Sequence, residues 1–192
     1  MIIVFTGNGK GKTTAALGQA MRVLGRGKRA LMIQFIKGPW RSGEDEFVEK
    51  LKTQKGRMLT RDQKLVDGAE NIYDFDIRKM GLGFVGILGD KLPRSEHTKA
   101  AENALKHFRD ELLKGIWHLI VLDEVNVAIS LGLIKVQDVL PLLKKVPEEH
   151  LVVLTGRDAP KEFVEIADLV TEVREIKHPF AAGTQGKKLI EF

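Results

Sequence analysis

The chain has 192 residues, of which 43% are hydrophobic and 30% charged, so residues 1–192 fit one globular domain. The absence of cysteine excludes disulfides, thiolate metal sites and a cysteine nucleophile. The net charge of +5 is spread along a chain with only 6% aromatic residues, which argues against a nucleic-acid surface and suits a small anionic ligand such as ATP.

A glycine-rich loop lies between the first predicted strand and the first predicted helix. The strand covers 2–5, residues 6–14 read Thr-Gly-Asn-Gly-Lys-Gly-Lys-Thr-Thr, and the helix covers 12–24. Such a loop turns its backbone N–H groups toward a polyphosphate, and the positive end of the following helix adds to the attraction. We therefore predict that ATP binds to the loop residues Gly7, Asn8, Gly9, Lys10, Gly11, Lys12, Thr13 and Thr14.

This loop is shorter than the usual phosphate loop. The pattern G-x-x-x-x-G-K-[ST] needs a glycine where the chain has Thr6, so the nearest glycine, Gly7, makes the loop one residue tighter. The alternative is a lysine-rich turn between a strand and a helix. The strand-to-helix context favours the phosphate loop, in which Lys12 reaches phosphate oxygens and the Thr13 hydroxyl holds Mg²⁺.

The rest of the chain alternates apolar strands with amphipathic helices. Strands are predicted over 29–35, 57–60, 118–122, 151–154 and 169–174, and helices over 42–51, 95–114, 136–144 and 160–167. The expected buried faces of the first two helices consist of Leu17, Ala20, Met21 and Leu24, and of Phe47, Val48 and Leu51. The pattern predicts an α/β fold with a mainly parallel sheet buried on both faces.

Residues 62–92 form the least regular segment, with five glycines. A long irregular segment inside a compact domain is typical of a functional or mobile region, and the alternative is a poorly ordered surface loop. No apolar stretch reaches the length of a membrane span, and the first apolar run is too short for a signal peptide. We therefore expect a cytoplasmic protein without membrane or nucleic-acid partners.

Polar side chains follow two of the apolar strands directly. Asp123 and Glu124 form an acidic pair suited to Mg²⁺, and Arg157 can grip phosphate oxygens. Because ligands bind at the carboxyl ends of parallel strands, these groups are expected to converge with the glycine loop. The alternatives are an acidic helix N-terminus and a surface arginine paired with Asp158.

The histidines and serines do not suggest covalent or zinc catalysis. The histidines show no metal-ligand spacing, and no serine stands in a nucleophile-elbow context. His97 and His107 are expected to be solvated positions on a helix.

Several segments, taken in order along the chain, resemble the ATP:corrinoid adenosyltransferase family of the P-loop, RecA-like type. They are 7–14, 34–38 with Trp40 and 43–44, 121–133, 154–160, 167–172 and 177–191. The resemblance implies a three-layer RecA-like fold with helices flanking the sheet. It also implies that cobalt(I) of a reduced corrinoid attacks C5′ of ATP and that triphosphate leaves. In this family the phosphate chain of ATP runs in the opposite direction to that in ordinary P-loop enzymes.

The resemblance also assigns roles to particular residues. It implies positioning of ATP by Lys12, Thr13 and Glu124, with Thr13 and Glu124 on Mg²⁺, Asp123 supporting the metal and Arg157 on phosphate. It implies corrinoid binding by Phe84, Trp40 and Asn126. A flavodoxin-like electron donor and a homodimer are implied as well.

The chain departs from the family pattern near the expected corrinoid site. Residues 81–86 read Gly-Leu-Gly-Phe-Val-Gly, so Val85 and Gly86 replace the threonine and tryptophan of the family segment Gly-x-Gly-Phe-Thr-Trp. Two other functions therefore stay open as alternatives to adenosyl transfer. One is a P-loop ATPase or nucleoside kinase that releases ADP, and the other is a nucleotide-dependent binding module.

Overall fold

The computed structural model of the protein describes residues 1–53, 57–59, 65–67, 74–87 and 89–177. The strands are β1 (Ile2–Thr6), β2 (Ala30–Gln34), β3 (Arg57–Leu59), β4 (Leu65–Asp67), β5 (Phe75–Lys79), β6 (Leu119–Asp123), β7 (Leu151–Thr155) and β8 (Leu169–Glu172). The helices are α1 (Lys12–Leu24), α2 (Gly43–Thr53), α3 (Arg94–Lys114), α4 (Val125–Ser130), α5 (Val136–Leu143) and α6 (Lys161–Ile166). The tail motif after residue 177 lies outside the described residues, as do parts of the segment 62–92.

Six parallel strands form the main sheet, in the order β5-β2-β6-β7-β1-β8. β1 lies between β7 and β8, with Ile3 opposite Val153 on one side and Leu169 on the other. The predicted parallel sheet is confirmed. Strands β3 and β4 form a separate antiparallel pair.

Helices cover both faces of the sheet and make three layers. One face packs against α1 and α2, through residues such as Ala16, Ala20 and Val48. The other face packs against α3, α4, α5 and α6, through residues such as Phe108, Val139 and Phe163. Successive residues of β1 alternate between the two cores, because side chains along a strand point to opposite faces. The three-layer α/β fold is therefore confirmed.

The structure corrects several predictions at the level of elements. β5 lies within the segment 62–92 and is a strand of the main sheet, although the sequence pattern indicated no strand there. α4 was not predicted either. Met21 and Phe47, expected on buried faces, are 66% and 51% exposed. β8 is an edge strand whose residues are exposed, so burial of the sheet on both faces does not extend to it.

No helix of the described segments is both long enough and apolar enough to cross a bilayer.

Candidate active site

The glycine loop connects β1 to α1 and is packed tightly against the segment after β8. Gly7 and Gly11 have φ values of 97° and 108°, which glycine adopts without the strain that a side chain would add. A Cβ on Gly9 would lie 2.6 Å from the carbonyl oxygen of Arg174. The backbone N–H of Gly9 donates to the carbonyl of Val173 at 2.7 Å. The loop is therefore fixed from one side by the chain that follows β8.

Lys12 lies inside the loop. Its Nζ donates to the carbonyl oxygens of Gly7 and Gly9 at 2.8 and 2.7 Å, and the residue is only 7% exposed. Burial lowers the pKa of Lys12, while the nearby Glu124 opposes that effect. An ammonium group held at the centre of a ring of backbone groups is well placed to meet phosphate oxygens.

Asp123 ends β6 and is the centre of a hydrogen-bond network. Its Oδ1 accepts from the hydroxyls of Thr13 and Thr155 at 2.8 and 2.7 Å, and its Oδ2 accepts from Nε2 of Gln34 at 3.1 Å. The residue is 2% exposed, and burial raises its pKa. Since Thr13 donates its proton to Asp123, the hydroxyl oxygen of Thr13 is oriented with its lone pairs away from that carboxylate.

Glu124 follows Asp123 in a left-handed backbone conformation, with φ of 60°. This conformation is uncommon for a residue with a side chain and costs of the order of 1 kcal/mol or more. The backbone N–H of Glu124 donates to Oγ1 of Thr155 at 2.9 Å, which holds it there. Burial, together with the neighbouring Asp123, raises the pKa of the Glu124 carboxyl to about 7.

The oxygen atoms of Thr13, Asp123 and Glu124 fit a magnesium ion. Hydroxyl and carboxylate oxygens are the hard ligands that Mg²⁺ prefers. Within the described part of the chain, no group of three or more histidine, cysteine, aspartate or glutamate residues could hold a metal by itself. Mg²⁺ usually binds through one or two carboxylates plus water and substrate phosphates.

An open polar cleft of about 530 Å³ lies beside the glycine loop, on the side of β8. We call it the arginine cleft, and its lining residues are Asn8, Arg157, Glu172, Arg174 and Glu175. The structure therefore brings Arg157 next to the glycine loop, as expected. The sequence analysis did not identify Arg174, which is hard to separate from the other dispersed basic residues of the chain.

Trp40 and Phe84, which we call the aromatic pair, lie at the opposite edge of the sheet. Their ring centroids are 6.3 Å apart, and they are 60% and 50% exposed. Trp40 lies directly over two glycines, since a Cβ on Gly38 or Gly83 would come within 2.4 or 2.6 Å of its ring. The aromatic pair is therefore an exposed apolar surface on a close-packed base.

Backbone contacts connect this surface to the acidic pair. The carbonyl of Gln34 accepts from the N–H groups of Met80 and Gly81 at 3.0 and 3.1 Å, and the side chain of Gln34 donates to Asp123. Oε1 of Gln34 is buried and has no hydrogen-bond partner among the described residues. A buried polar group at the end of an apolar strand was a signal that the sequence analysis could have used.

Asn126 lies at the start of α4, directly after the acidic pair. Its side chain is fully buried and donates to the carbonyl of Gly156 at 3.1 Å. Gly156 needs this close approach, because a Cβ there would come within 2.9 Å of Asn126 Cβ and 3.2 Å of a Glu124 carboxylate oxygen. Asn126 thus supports the turn that carries Glu124 and Arg157.

His97 is buried, which corrects the expectation that it is solvated. It is 3% exposed, and its Nε2 lies 3.0 Å from Oδ2 of Asp90. Asp90 also accepts from the N–H groups of Gly86 and Leu92, and the Gly86 contact is the main reason why the pKa of Asp90 is lowered. His107, also expected in solvent, is partly buried against Arg78 and Glu111.

Comparison with known proteins gives a consistent result over the whole chain. The family described as ATP:corrinoid adenosyltransferase BtuR/CobO/CobP matches residues 1–192. A protein of Escherichia coli K12 named corrinoid adenosyltransferase is 32% identical over 192 residues, covering 100% of this chain and 85% of that protein. The Salmonella typhimurium corrinoid adenosyltransferase CobA is 31% identical with the same coverage. A Sinorhizobium corrinoid adenosyltransferase is 36% identical over 194 residues, covering 100% of this chain and 80% of the relative.

Proposed function

The chain belongs to the ATP:corrinoid adenosyltransferase family, and from this premise we propose how its own residues transfer the 5′-deoxyadenosyl group of ATP to a corrinoid. The electron pair of cobalt(I) forms the bond to C5′, the C5′–O bond breaks, and its electrons leave with triphosphate. This reaction belongs to adenosylcobalamin biosynthesis or salvage.

The observation that carries this proposal is the order of groups along the carboxyl ends of the strands. The aromatic pair follows β2 and β5, the acidic pair follows β6, and the phosphate loop follows β1. A reaction between a corrinoid and the C5′ carbon of ATP needs these surfaces along the same edge of the sheet. The protein then contributes by positioning the two substrates and by neutralising the leaving group.

The phosphate loop and the groups around it hold ATP. The loop residues Gly7 to Thr14 surround the triphosphate, Lys12 donates to its oxygens, and Arg157 contacts it from β7. When Mg²⁺ is bound, it is held by Thr13 and Glu124, with Asp123 orienting the Thr13 hydroxyl, and it neutralises charge on the phosphates.

The aromatic pair forms the corrinoid surface. Val85 and Gly86 stand where the family pattern has threonine and tryptophan, so Trp40 and Phe84 supply the exposed aromatic area near the acidic pair. Burying two half-exposed aromatic side chains against a flat ligand gains several kcal/mol, by order of magnitude. Asn126 acts indirectly, by holding Gly156.

The reductant and the assembly state are part of the same proposal. The resemblance described in the sequence analysis implies a flavodoxin-like electron donor, which keeps cobalt reduced, and a cytoplasmic homodimer. Light scattering on the purified protein tests the dimer.

An anaerobic assay with ATP, Mg²⁺ and chemically reduced cobalamin, or its incomplete precursor, tests the function. We expect a cobalt–carbon bond in the visible spectrum and inorganic triphosphate as the second product. ADP or phosphate as the product, without alkylated corrinoid, would instead support a P-loop ATPase or kinase.

Phe84→Ala extends the same assay to the aromatic pair. It should raise the KM for the corrinoid about tenfold, the order expected for a lost aromatic contact, and leave ATP affinity within about twofold. Leu113→Ala, at an exposed residue near the end of α3, is the control. Equal losses for both substrates in Phe84→Ala would contradict the corrinoid role.

A further inference from the structure

We propose that Arg174 is a further substrate-binding residue, which acts with Arg157 and Asn8 to hold the terminal phosphate of ATP and of the released triphosphate. The inference rests on the proposed function, because transfer to a corrinoid fixes the direction in which ATP lies.

Arg174 follows β8, the neighbour of β1, and touches the loop through its backbone. The N–H of Val173 donates to the carbonyl of Thr6 at 2.8 Å, and the carbonyl of Val173 accepts from Gly9 at 2.7 Å. These two bonds continue the pairing of β1 with β8 beyond Glu172. They place Arg174 beside the phosphate loop and in the lining of the arginine cleft.

The order of the strands gives the direction of ATP. The aromatic pair follows β2 and β5, so C5′ of ATP has to lie on that side, near the acidic pair of β6. From there, the triphosphate extends toward the loop after β1, and its terminal phosphate points toward β8. The distance from β6 to β8 is three strand spacings, about 14 Å, which places the arginine cleft at the far end of the nucleotide.

The chemistry of the arginine cleft suits a phosphate at this end. Nε of Arg174 donates to Oε2 of Glu172 at 2.9 Å, which fixes one edge of the guanidinium. A guanidinium has five N–H donors in a planar fork, so four remain for phosphate oxygens. Glu172 and Glu175 formally balance the two positive charges of Arg157 and Arg174, which favours release of the product.

The opposite orientation of ATP would put adenine in the arginine cleft. All five lining residues are polar or charged, with no aromatic or aliphatic side chain among them. Adenine would therefore find no aromatic or aliphatic surface there. The cleft fits the charged end of ATP better than its base.

Equilibrium binding of ATP, ADP and inorganic triphosphate to the full chain in the presence of Mg²⁺ tests the proposal. Arg174→Ala should weaken the binding of ATP and triphosphate about tenfold or more, since hydrogen bonds to a charged group are lost. ADP, which lacks the terminal phosphate, should bind within about twofold of the wild type. Arg174→Lys, which keeps the charge without the fork, should give an intermediate loss.

Arg109→Ala is the matched control. Arg109 is also an exposed arginine whose Nε contacts a neighbouring carboxylate, that of Asp110, but it lies near the end of α3 that leads to the amino end of β6. It should leave all three affinities unchanged. Melting temperatures within a few degrees of the wild type will show that Arg174→Ala is folded.

Two results would overturn the assignment of Arg174. One is unchanged triphosphate binding in Arg174→Ala, and the other is an equal loss of ADP and ATP affinity, which would place the adenosine end in the cleft. The triphosphate titration needs no corrinoid. If triphosphate binding depends on Arg174 but adenosyl transfer fails, the proposed function alone is overturned. If transfer succeeds but triphosphate binding does not depend on Arg174, this inference alone is overturned.

Discussion

At the scale of single residues, the site is built from side chains that form hydrogen bonds with one another and with the backbone around them. Lys12 bonds to two carbonyls of its loop, Asp123 accepts from three neighbours, and Asn126 holds Gly156. Such prior ordering means that little conformational freedom is left to lose when ATP binds. The groups that meet the substrate are therefore fixed before it arrives.

Lys12→Ala tests the centre of this arrangement. The change removes an ammonium that reaches the loop carbonyls and, in our proposal, the phosphate oxygens. Loss of charge-assisted bonds should weaken ATP binding about 100-fold or more, measured by calorimetric titration. Lys106→Ala, at an exposed position on α3, should bind ATP like the wild type. ATP affinity unaffected by Lys12→Ala would count against the loop as the phosphate site.

At the scale of elements, the segment between β5 and α3 is attached to the fold by Asp90 and His97. Asp90 bonds to the N–H of Gly86 on one side and to the buried His97 of α3 on the other. The segment carries Phe84, so its attachment controls one half of the aromatic pair. In the proposed function, His97 is thus a positioning residue for the corrinoid surface.

His97→Ala should loosen this segment without touching ATP. It removes one of the three hydrogen-bond partners of Asp90, the one that connects it to α3, so that Phe84 samples more positions. We expect a corrinoid KM several-fold higher, with kcat and ATP affinity changed less than twofold. His97→Gln, which keeps a side-chain donor, should restore part of the loss, and Lys99→Ala on the same helix should have no effect. A fall in ATP affinity equal to the rise in KM would instead indicate general destabilisation.

Sequence patterns predicted the strongly apolar elements and missed those whose pattern depends on their neighbours. β2, β6 and β7 are continuous apolar runs and were predicted, because strands buried on both faces need them. β5 reads Phe-Asp-Ile-Arg-Lys, and its charges pair within the strand, as Arg78 does with Asp76, and with tertiary partners, as Arg78 does with Glu111. Single-sequence periodicity does not contain this information.

The residues of the candidate site also fall into those that the sequence predicts and those that it does not. The loop, the acidic pair and Arg157 follow apolar strands directly, so their convergence at one edge of the sheet followed from topology. Arg174 and His97 could not be identified from the sequence. An arginine after an edge strand looks like any solvated residue, and burial of a histidine depends on which loop packs over its helix.

At the scale of the whole molecule, a buried carboxylate connects the layers. Glu111 of α3 is 1% exposed and accepts from Arg78 of β5 at 2.9 Å, from Lys114 of α3 at 2.7 Å and from Trp117 before β6 at 2.6 Å. Burial alone would raise the pKa of Glu111, but these donors outweigh it and lower the pKa from 4.5 to about 2. The charged form is therefore the one that stabilises the fold.

The stability of the protein should depend on pH through this residue. A pKa lower in the folded than in the unfolded state adds stability that is complete above pH 4.5 and is lost as the pH falls toward 2. By order of magnitude, the contribution at pH 7 is about 3 kcal/mol. Glu111→Gln should therefore be less stable than the wild type at pH 7 by about that amount, and the difference should shrink between pH 4.5 and pH 2.

Urea unfolding of wild type and variant at a series of pH values measures this difference, and comparison at each pH cancels the titration of the other carboxylates. Glu102→Gln, at an exposed position of the same helix, should track the wild type throughout. A gap between wild type and Glu111→Gln that stays constant from pH 7 to pH 2 would show that Glu111 contributes through packing alone. A gap that closes would show that the charge of Glu111 stabilises the fold through its hydrogen bonds with Arg78, Lys114 and Trp117.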